Sequence, residues 1–265
     1  MRVGCVQMTS RADKAANLAT AKALVARAAA QGAAVIVLPE KWKGIGTVAD
    51  YRALAEPLSG GESVAAMSRW AREHGSVLVG GSITELPAGG GKLPNTCFVF
   101  DGTGALVAAY RKIHLFDVDA GGVVYRESDS DAAGDEPVIA EVGGLRIGLI
   151  ICYDVRFPEL YRVLALGGAQ LVTGKDHWEP LLRARAIENQ CYVAAAAQTG
   201  TVFPDKPAAY GRSLIVDPWG VVLATAGDEE TVIVADVDLA RLDAIRAALP
   251  ALRHRRPEMY RWPAP

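Results

Sequence analysis

Two stretches of this 265-residue chain run apolar almost without interruption and then stop at a reactive side chain. Ala33-Ala34-Val35-Ile36-Val37-Leu38 ends in Pro39-Glu40, and Leu145 to Ile151 ends in Cys152. Runs of this kind read as buried strands of a layered α/β sheet. The residues after Cys152 turn helical, because Pro158-Glu159-Leu160 puts proline and an acid where a first helical turn tolerates them. A thiol on such a strand-to-helix turn is expected to point toward the helix N-terminus, whose partial positive charge favours thiolate. A third strand, Ala105 to Tyr110, follows the turn Asp101-Gly102-Thr103-Gly104 and delivers Arg111-Lys112-Ile113-His114. Singly, a cysteine is most often a packed small hydrophobe, and a Glu or Lys after a strand is a solvated loop residue. Together, three reactive groups at three strand ends fit one shared catalytic rim better.

The remaining pattern alternates strands and helices. Val3 to Met8 reads as a strand, Asp13 to Ala30 as an alanine-rich helix closed by Gly32, Glu62 to His74 as a helix with Gly75 after it, and Val77 to Ile83 as a strand. Thr96 to Phe100 and Ala105 to Tyr110 form a hairpin, Ile113 to Glu136 a long loop, and Val138 to Val142 pairs with Leu145 to Ile151 across Gly143-Gly144. Helix Phe157 to Leu166, strand Gln170 to Val172, helix Trp178 to Gln190 and strand Tyr192 to Ala197 follow. Strands Ser213 to Asp217, Val221 to Ala224 and Val232 to Val237 precede helix Leu239 to Leu249. Hairpins mixed with βα crossovers point to two mixed sheets whose inner faces meet and whose outer faces carry helices.

The segments Leu38-Pro39-Glu40, Tyr110-Arg111-Lys112-Ile113-His114 and Ile151-Cys152-Tyr153-Asp154-Val155-Arg156-Phe157-Pro158-Glu159-Leu160 resemble, in order, the three signatures of the nitrilase (carbon-nitrogen hydrolase) superfamily. The resemblance continues through His177-Trp178-Glu179, Leu182 to Val193, Val216-Asp217-Pro218-Trp219-Gly220 and Leu252 to Pro257, so it spans nearly the whole chain. These later stretches look most like the branch that hydrolyses deaminated glutathione, with omega-amidase or nitrilase of the same superfamily as the alternative. The resemblance implies an αββα four-layer sandwich over residues 1–265 as a single domain, with a C-terminal arm at about 250–265. It also implies a homodimer that joins Phe157 to Leu166 and the arm around Arg253 to Trp262, where Tyr161, Arg255 and Trp262 are types enriched at interfaces.

Amide hydrolysis at neutral pH needs a strong nucleophile, a base that takes and returns a proton, and a positive group where oxyanion charge develops. Cys152, Glu40 and Lys112 supply one each, with the Tyr153 backbone N–H as a second oxyanion donor. Through the resemblance, Glu127 in Tyr125-Arg126-Glu127-Ser128 is a fourth acidic residue that orients Lys112, although Asp129, Asp131 and Asp135 also suit a solvated acidic loop. Arg156 could grip a substrate carboxylate in bidentate fashion, or serve as a helix-cap or inter-subunit ion pair. The expected substrate is a small amide bearing a carboxylate at its other end. No metal or organic cofactor is implied, since His74, His114, His177 and His254 are dispersed without ligand spacing. A Cys–His pair between Cys152 and His114 or His177 is the mechanistic alternative, and a catalytically silent interaction module is the alternative from another class.

Composition limits the partners. A formal charge of −2 gives no electrostatic case for nucleic acid or membrane surfaces, and no apolar run approaches a membrane span. Four cysteines without CxxC spacing, and a first strand where a leader would stand, suit free thiols in a reducing, cytoplasmic compartment. One departure from the family stands out. Leu171-Val172 runs straight into Thr173-Gly174-Lys175-Asp176-His177-Trp178, where relatives usually carry a Pro-Ala-Ala-Phe-type segment first. The close match of the flanks leads us to expect that Val172 and Thr173 are not directly joined, their Cα atoms lying farther apart than the roughly 3.8 Å of one trans peptide. A direct join would mean a true deletion, a wider pocket and no ground for glutathione-like specificity.

Overall fold

The computed structural model describes residues 1–120, 123–173, 178–202 and 208–259. Among the described residues lie six α-helices, α1 (Lys14–Ala30), α2 (Val48–Leu54), α3 (Glu62–His74), α4 (Pro158–Leu166), α5 (Trp178–Asn189) and α6 (Leu239–Ala248). Local chemistry sets their ends. Asp13 caps α1 by accepting from Ala16 N at 3.0 Å, and Gly75 closes α3 in the left-handed region at φ 60°. The short α2, absent from the sequence-based expectation, is started by a capping box in which Thr47 and Asp50 bond reciprocally.

One sheet runs in the order Thr231–Asp236, Arg2–Gln7, Val35–Val37, Val77–Val79, Leu93–Phe100, Ile83–Thr84, and Leu106–Arg111 also pairs with Leu93–Phe100. The other runs Ile139–Val142, Leu145–Gly148, Leu171–Thr173, Tyr192–Ala195, Leu214–Val216, Val222–Thr225. Each combines parallel central pairs with antiparallel pairs, and Asp131–Ala132 adds a short parallel pairing to Leu93–Phe100, so both are mixed. The two-residue period of the strands sorts their side chains into layers. Val35, Val37, Ile147, Leu149, Ala194 and Ala196 share the core between the sheets. Ile36, Leu38 and Leu78 face α1 and α3, while Ile150, Val172 and Val193 face α4 and α5. Three apolar layers thus separate helices, sheet, sheet and helices, which is the αββα sandwich expected. Val35 to Leu38 are each at most 2 % exposed, which is worth roughly 6–12 kcal/mol together at about 1.5–3 kcal/mol per side chain. That exceeds the strain of ~1–3 kcal/mol carried by a positive φ just beyond the strand end, so burial dictates where Glu40 emerges.

Several boundaries differ from expectation. The expected strand Val77 to Ile83 is two strands, because Gly81 (φ 56°) leaves the β region between them. The Ile113 to Glu136 segment holds a hairpin, Asp117–Ala120 with Val123–Arg126, and a 3-10 turn Glu127–Asp129. Leu171–Thr173 is one continuous strand, with Leu171, Val172 and Thr173 opposite Tyr192, Val193 and Ala194 in unbroken register. The expected break between Val172 and Thr173 is therefore wrong. Val172 and Thr173 are consecutive residues of that strand.

Candidate active site

Glu40 leaves its strand through Leu38 and Pro39 and is held by both sheets. Leu38 N donates to Val79 O at 2.9 Å on one side, and Gln198 Nε2, from the loop after Tyr192–Ala195, donates to Glu40 O at 2.9 Å on the other. Gly81 lies against the carbonyls of Leu38 and Pro39 with no room for a Cβ. The Gly80-Gly81 pair is thus a close backbone approach that shapes the rim, beyond a simple turn. Lys41, directly after Glu40, has φ 49° and bonds to Ser82 Oγ through its N–H.

Lys112 follows Leu106–Arg111 and points inward, its side chain only 1 % exposed. Its Nζ donates to Glu127 Oε2 at 2.8 Å and Oε1 at 3.0 Å, and lies 3.4 Å from Glu40 Oε1. Burial pulls this ammonium toward neutrality, but Glu40, Cys152 and Glu127 together outweigh it and hold Lys112 well above the ordinary lysine range. Lys112 is a fixed cation. Glu127 comes from the 3-10 turn and is itself fixed, since Phe116 N donates to its Oε2 at 2.6 Å.

Cys152 opens the 3-10 turn Cys152–Arg156 with φ 49°, a conformation L-residues rarely hold unless neighbours over-determine it. The neighbour that does so is Asp154, fully buried, which accepts from Ile151 N (2.8 Å), His114 N (3.1 Å) and Tyr110 Oη (2.7 Å). Helix α4 begins only at Pro158, so this turn, and not the first turn of the helix, positions the thiol. Cys152 and Glu40 front the same narrow cavity of about 30 Å³, whose wall includes Gly81, Cys97 and Thr173. The other three cysteines are buried, and burial pushes the Cys97 and Cys191 thiols up to about 12 and Cys5 higher still.

A half-buried cysteine on a strained turn, beside a carboxylate and a lysine locked between carboxylates, invites comparison with known proteins. Residues 2–247 match the carbon-nitrogen hydrolase family. The chain belongs to that family. It is 41% identical over 272 aligned positions to omega-amidase NIT2 of Danio rerio, covering 98% of this chain and 96% of that protein. It superposes on Saccharomyces cerevisiae Nit3, a member of branch 10 of the nitrilase superfamily, with TM-score 0.87 and 30% identity over 98% of this chain and 97% of that one. It also matches an amidase mutant from Nesterenkonia sp. AN1, which shows Michael addition of acrylamide at the active site cysteine, with TM-score 0.77, 29% identity and coverage of 94% and 98%. These names correspond to the omega-amidase alternative and not to the deaminated-glutathione branch.

In this carbon-nitrogen hydrolase the structure brings Glu40, Lys112, Glu127 and Cys152 together, and adds residues that the motifs did not single out. Lys41 Nζ lies 3.2 Å from Asp131 Oδ2 and 3.7 Å from Glu127 Oε1, and 4.1 Å above the Tyr51 ring. Asn95 Nδ2 donates to Glu40 Oε1 at 2.8 Å. His114 Nδ1 lies 2.7 Å from Asp154 Oδ1, and its ring stacks on Phe157 at 3.6 Å. His177 lies outside the described residues. Tyr153 packs edge-on against Phe116 and Phe157, and exposed Arg156 sits 5.9 Å over the Tyr153 ring. A polar residue on an apolar strand face was the available signal for Asn95. Lys41 and Asp131 carried none, since a charge in a turn or acidic loop looks solvated.

Proposed function

We propose that this hydrolase cleaves the terminal amide of a small linear omega-amide whose other end bears a carboxylate, through a Cys152 thioester and with release of ammonia. The observation that carries this is the Lys112 ammonium pinned 2.8 Å from Glu127 and 3.4 Å from Glu40, with Glu40 and Cys152 on one cavity. Glu40 takes the proton from the Cys152 thiol as sulfur bonds the amide carbon. Lys112 and the Tyr153 N–H stabilise the resulting oxyanion. The carbon–nitrogen bond then breaks, and the proton held by Glu40 leaves on ammonia. Water attacks the thioester while giving a proton to Glu40, the carbon–sulfur bond breaks, and that proton returns to Cys152 as the acid departs. Glu127 keeps Lys112 aimed at the oxyanion position, and Arg156 holds the distant carboxylate.

Omega-amide specificity is supported by the names of the relatives. A second copy is the expected partner, seated on α4, where Val163 and Leu166 are exposed, whereas Tyr161, expected at this interface, is fully buried in the core and cannot line it; Trp262 of the arm lies outside the described residues. The deciding experiment is ammonia release from carboxylate-bearing omega-amides, neutral amides and nitriles, with Cys152→Ala as the blank. Omega-amides should be turned over fastest, and Arg156→Lys should raise KM for the acidic amide while sparing a neutral one. Ammonia release by Cys152→Ala would overturn the thioester route. Faster turnover of nitriles would overturn the substrate class.

A further inference from the structure

Asn95 sits on Leu93–Phe100, where the two-residue period puts it on the same face as Cys97 and Val99. Both of those belong to the apolar core between the sheets, so a hydrophobic residue would suit position 95. An amide stands there instead, with no exposed surface, and its Oδ1 is buried with no hydrogen-bond partner among the described residues. An unsatisfied buried carbonyl is costly, and such exceptions usually serve something besides packing. Two of the bonds that Asn95 makes show what it serves. Its Nδ2 donates to Glu40 Oε1 at 2.8 Å, and its backbone carbonyl accepts from Lys112 N at 2.9 Å. One residue therefore registers the carboxylate against the lysine.

The orientation of the amide is dictated by charge. An ionised carboxylate only accepts, so Nδ2 must face it, and turning the amide over to satisfy Oδ1 elsewhere would set oxygen against oxygen. Oε1 of Glu40 meets two donors, Asn95 Nδ2 and, at 3.4 Å, Lys112 Nζ. Donors to a carboxylate favour its charged form.

We propose that Asn95 is a positioning residue that keeps Glu40 ionised until Cys152 is deprotonated and directs the travelling proton to Oε2, the oxygen opposite the one it holds. The buried, unpartnered Oδ1 is the cost of that arrangement. Asn95 does not touch the reacting atoms. It acts through Glu40, and this inference rests on Glu40 being the base of the proposed hydrolysis.

The test is the pH dependence of kcat/KM, and in parallel of Cys152 alkylation by iodoacetamide, for the full-length wild type, Asn95→Leu, Asn95→Asp, Asn95→Ser and Glu40→Gln. Asn95→Leu removes the donor at similar size and should move the acid limb up by about one pH unit, lowering kcat roughly tenfold with KM little changed. Asn95→Asp sets a second carboxylate against Glu40 and should move the limb further. Asn95→Ser keeps an O–H donor and should return the limb toward wild type. If Asn95→Leu fails to fold, the Asp and Ser variants carry the same comparison. A uniform loss of activity with the acid limb unmoved in the folded variants, while Glu40→Gln is inactive, would overturn the role of Asn95 and leave the hydrolysis intact. Full activity in Glu40→Gln would overturn the hydrolysis scheme itself.

Discussion

Lys112 donates to both oxygens of Glu127, at 2.8 and 3.0 Å, and stands farther, at 3.4 Å, from Glu40. The lysine is thus anchored by one carboxylate and only neighboured by the other, which divides the labour at the site. Glu127 bears the fixed cation, and in the proposed hydrolysis Glu40 is left to exchange a proton. Burial alone would favour a neutral amine at Lys112, and the carboxylates on either side reverse that preference.

Glu127→Gln should therefore fold and bind but turn over slowly. Glutamine retains an oxygen for Lys112 and loses the charge that fixes it, so kcat should fall about 10²-fold, in the range found when one electrostatic contributor is removed, with KM nearly unchanged. Steady-state ammonia release checks this; a fall confined to KM would mean that Glu127 binds substrate.

Asp154→Asn should destabilise the fold as well as silence the thiol. The carboxylate is fully buried among donors from Ile151, His114 and Tyr110, and an amide would turn an N–H toward some of them. A loss of roughly 2–4 kcal/mol is expected from such a broken buried network, read by urea melts. Tyr110→Phe, which removes one donor, should cost about 1 kcal/mol.

Gly81→Ala should be among the most damaging substitutions. The backbone holds φ 56° and a Cβ would run into the Leu38 and Pro39 carbonyls next to Glu40. Strain and overpacking together should cost about 3 kcal/mol or more, seen as a lower Tm, and any folded fraction should show a displaced base as reduced kcat.

Native protein at pH 8 should yield one rapidly labelled thiol, Cys152, and four after denaturation, because the other three cysteines are buried. The same burial fixes the sign of a pH dependence. Cys97 and Cys191 release protons near 9.0 when unfolded and only at about 12 when folded, so the stability they contribute is full below pH 9 and is lost as pH rises toward 12. Each can contribute up to about 1.4 kcal/mol per pH unit over that window. Lys43 opposes them: burial pushes its ammonium down to about 8, so the unfolded chain holds this proton longer and stability rises between about 8 and 10.5. With Cys5 shifted in the same direction as the other two, three thiols outweigh one lysine, and urea stability should fall from pH 9 to 10.5. Cys191→Ala should flatten that fall; an unchanged slope would contradict retention of the thiol proton.

What the sequence by itself determined were the features whose cause is local. The apolar run Ala33 to Leu38 demanded a buried strand and so put Glu40 at its end; Asp13 and Gly75 marked helix ends; Gly143-Gly144 marked a hairpin. The order of Glu40, Lys112 and Cys152 was legible for the same reason, since each follows a strand. Only the tertiary structure decided which charges meet. Asn95 and Glu40 are 55 residues apart, and Lys112 and Glu40 are 72 apart. Lys41, Asp131 and Asn95 look like solvated or misplaced polar residues until two sheets close over them. Burial then makes an unpaired charge far more costly than an exposed one, so partners distant in sequence become obligatory. Periodicity records which face of a strand is apolar; it carries no record of which distant polar group will lie opposite, and that pairing sets the chemistry of this site.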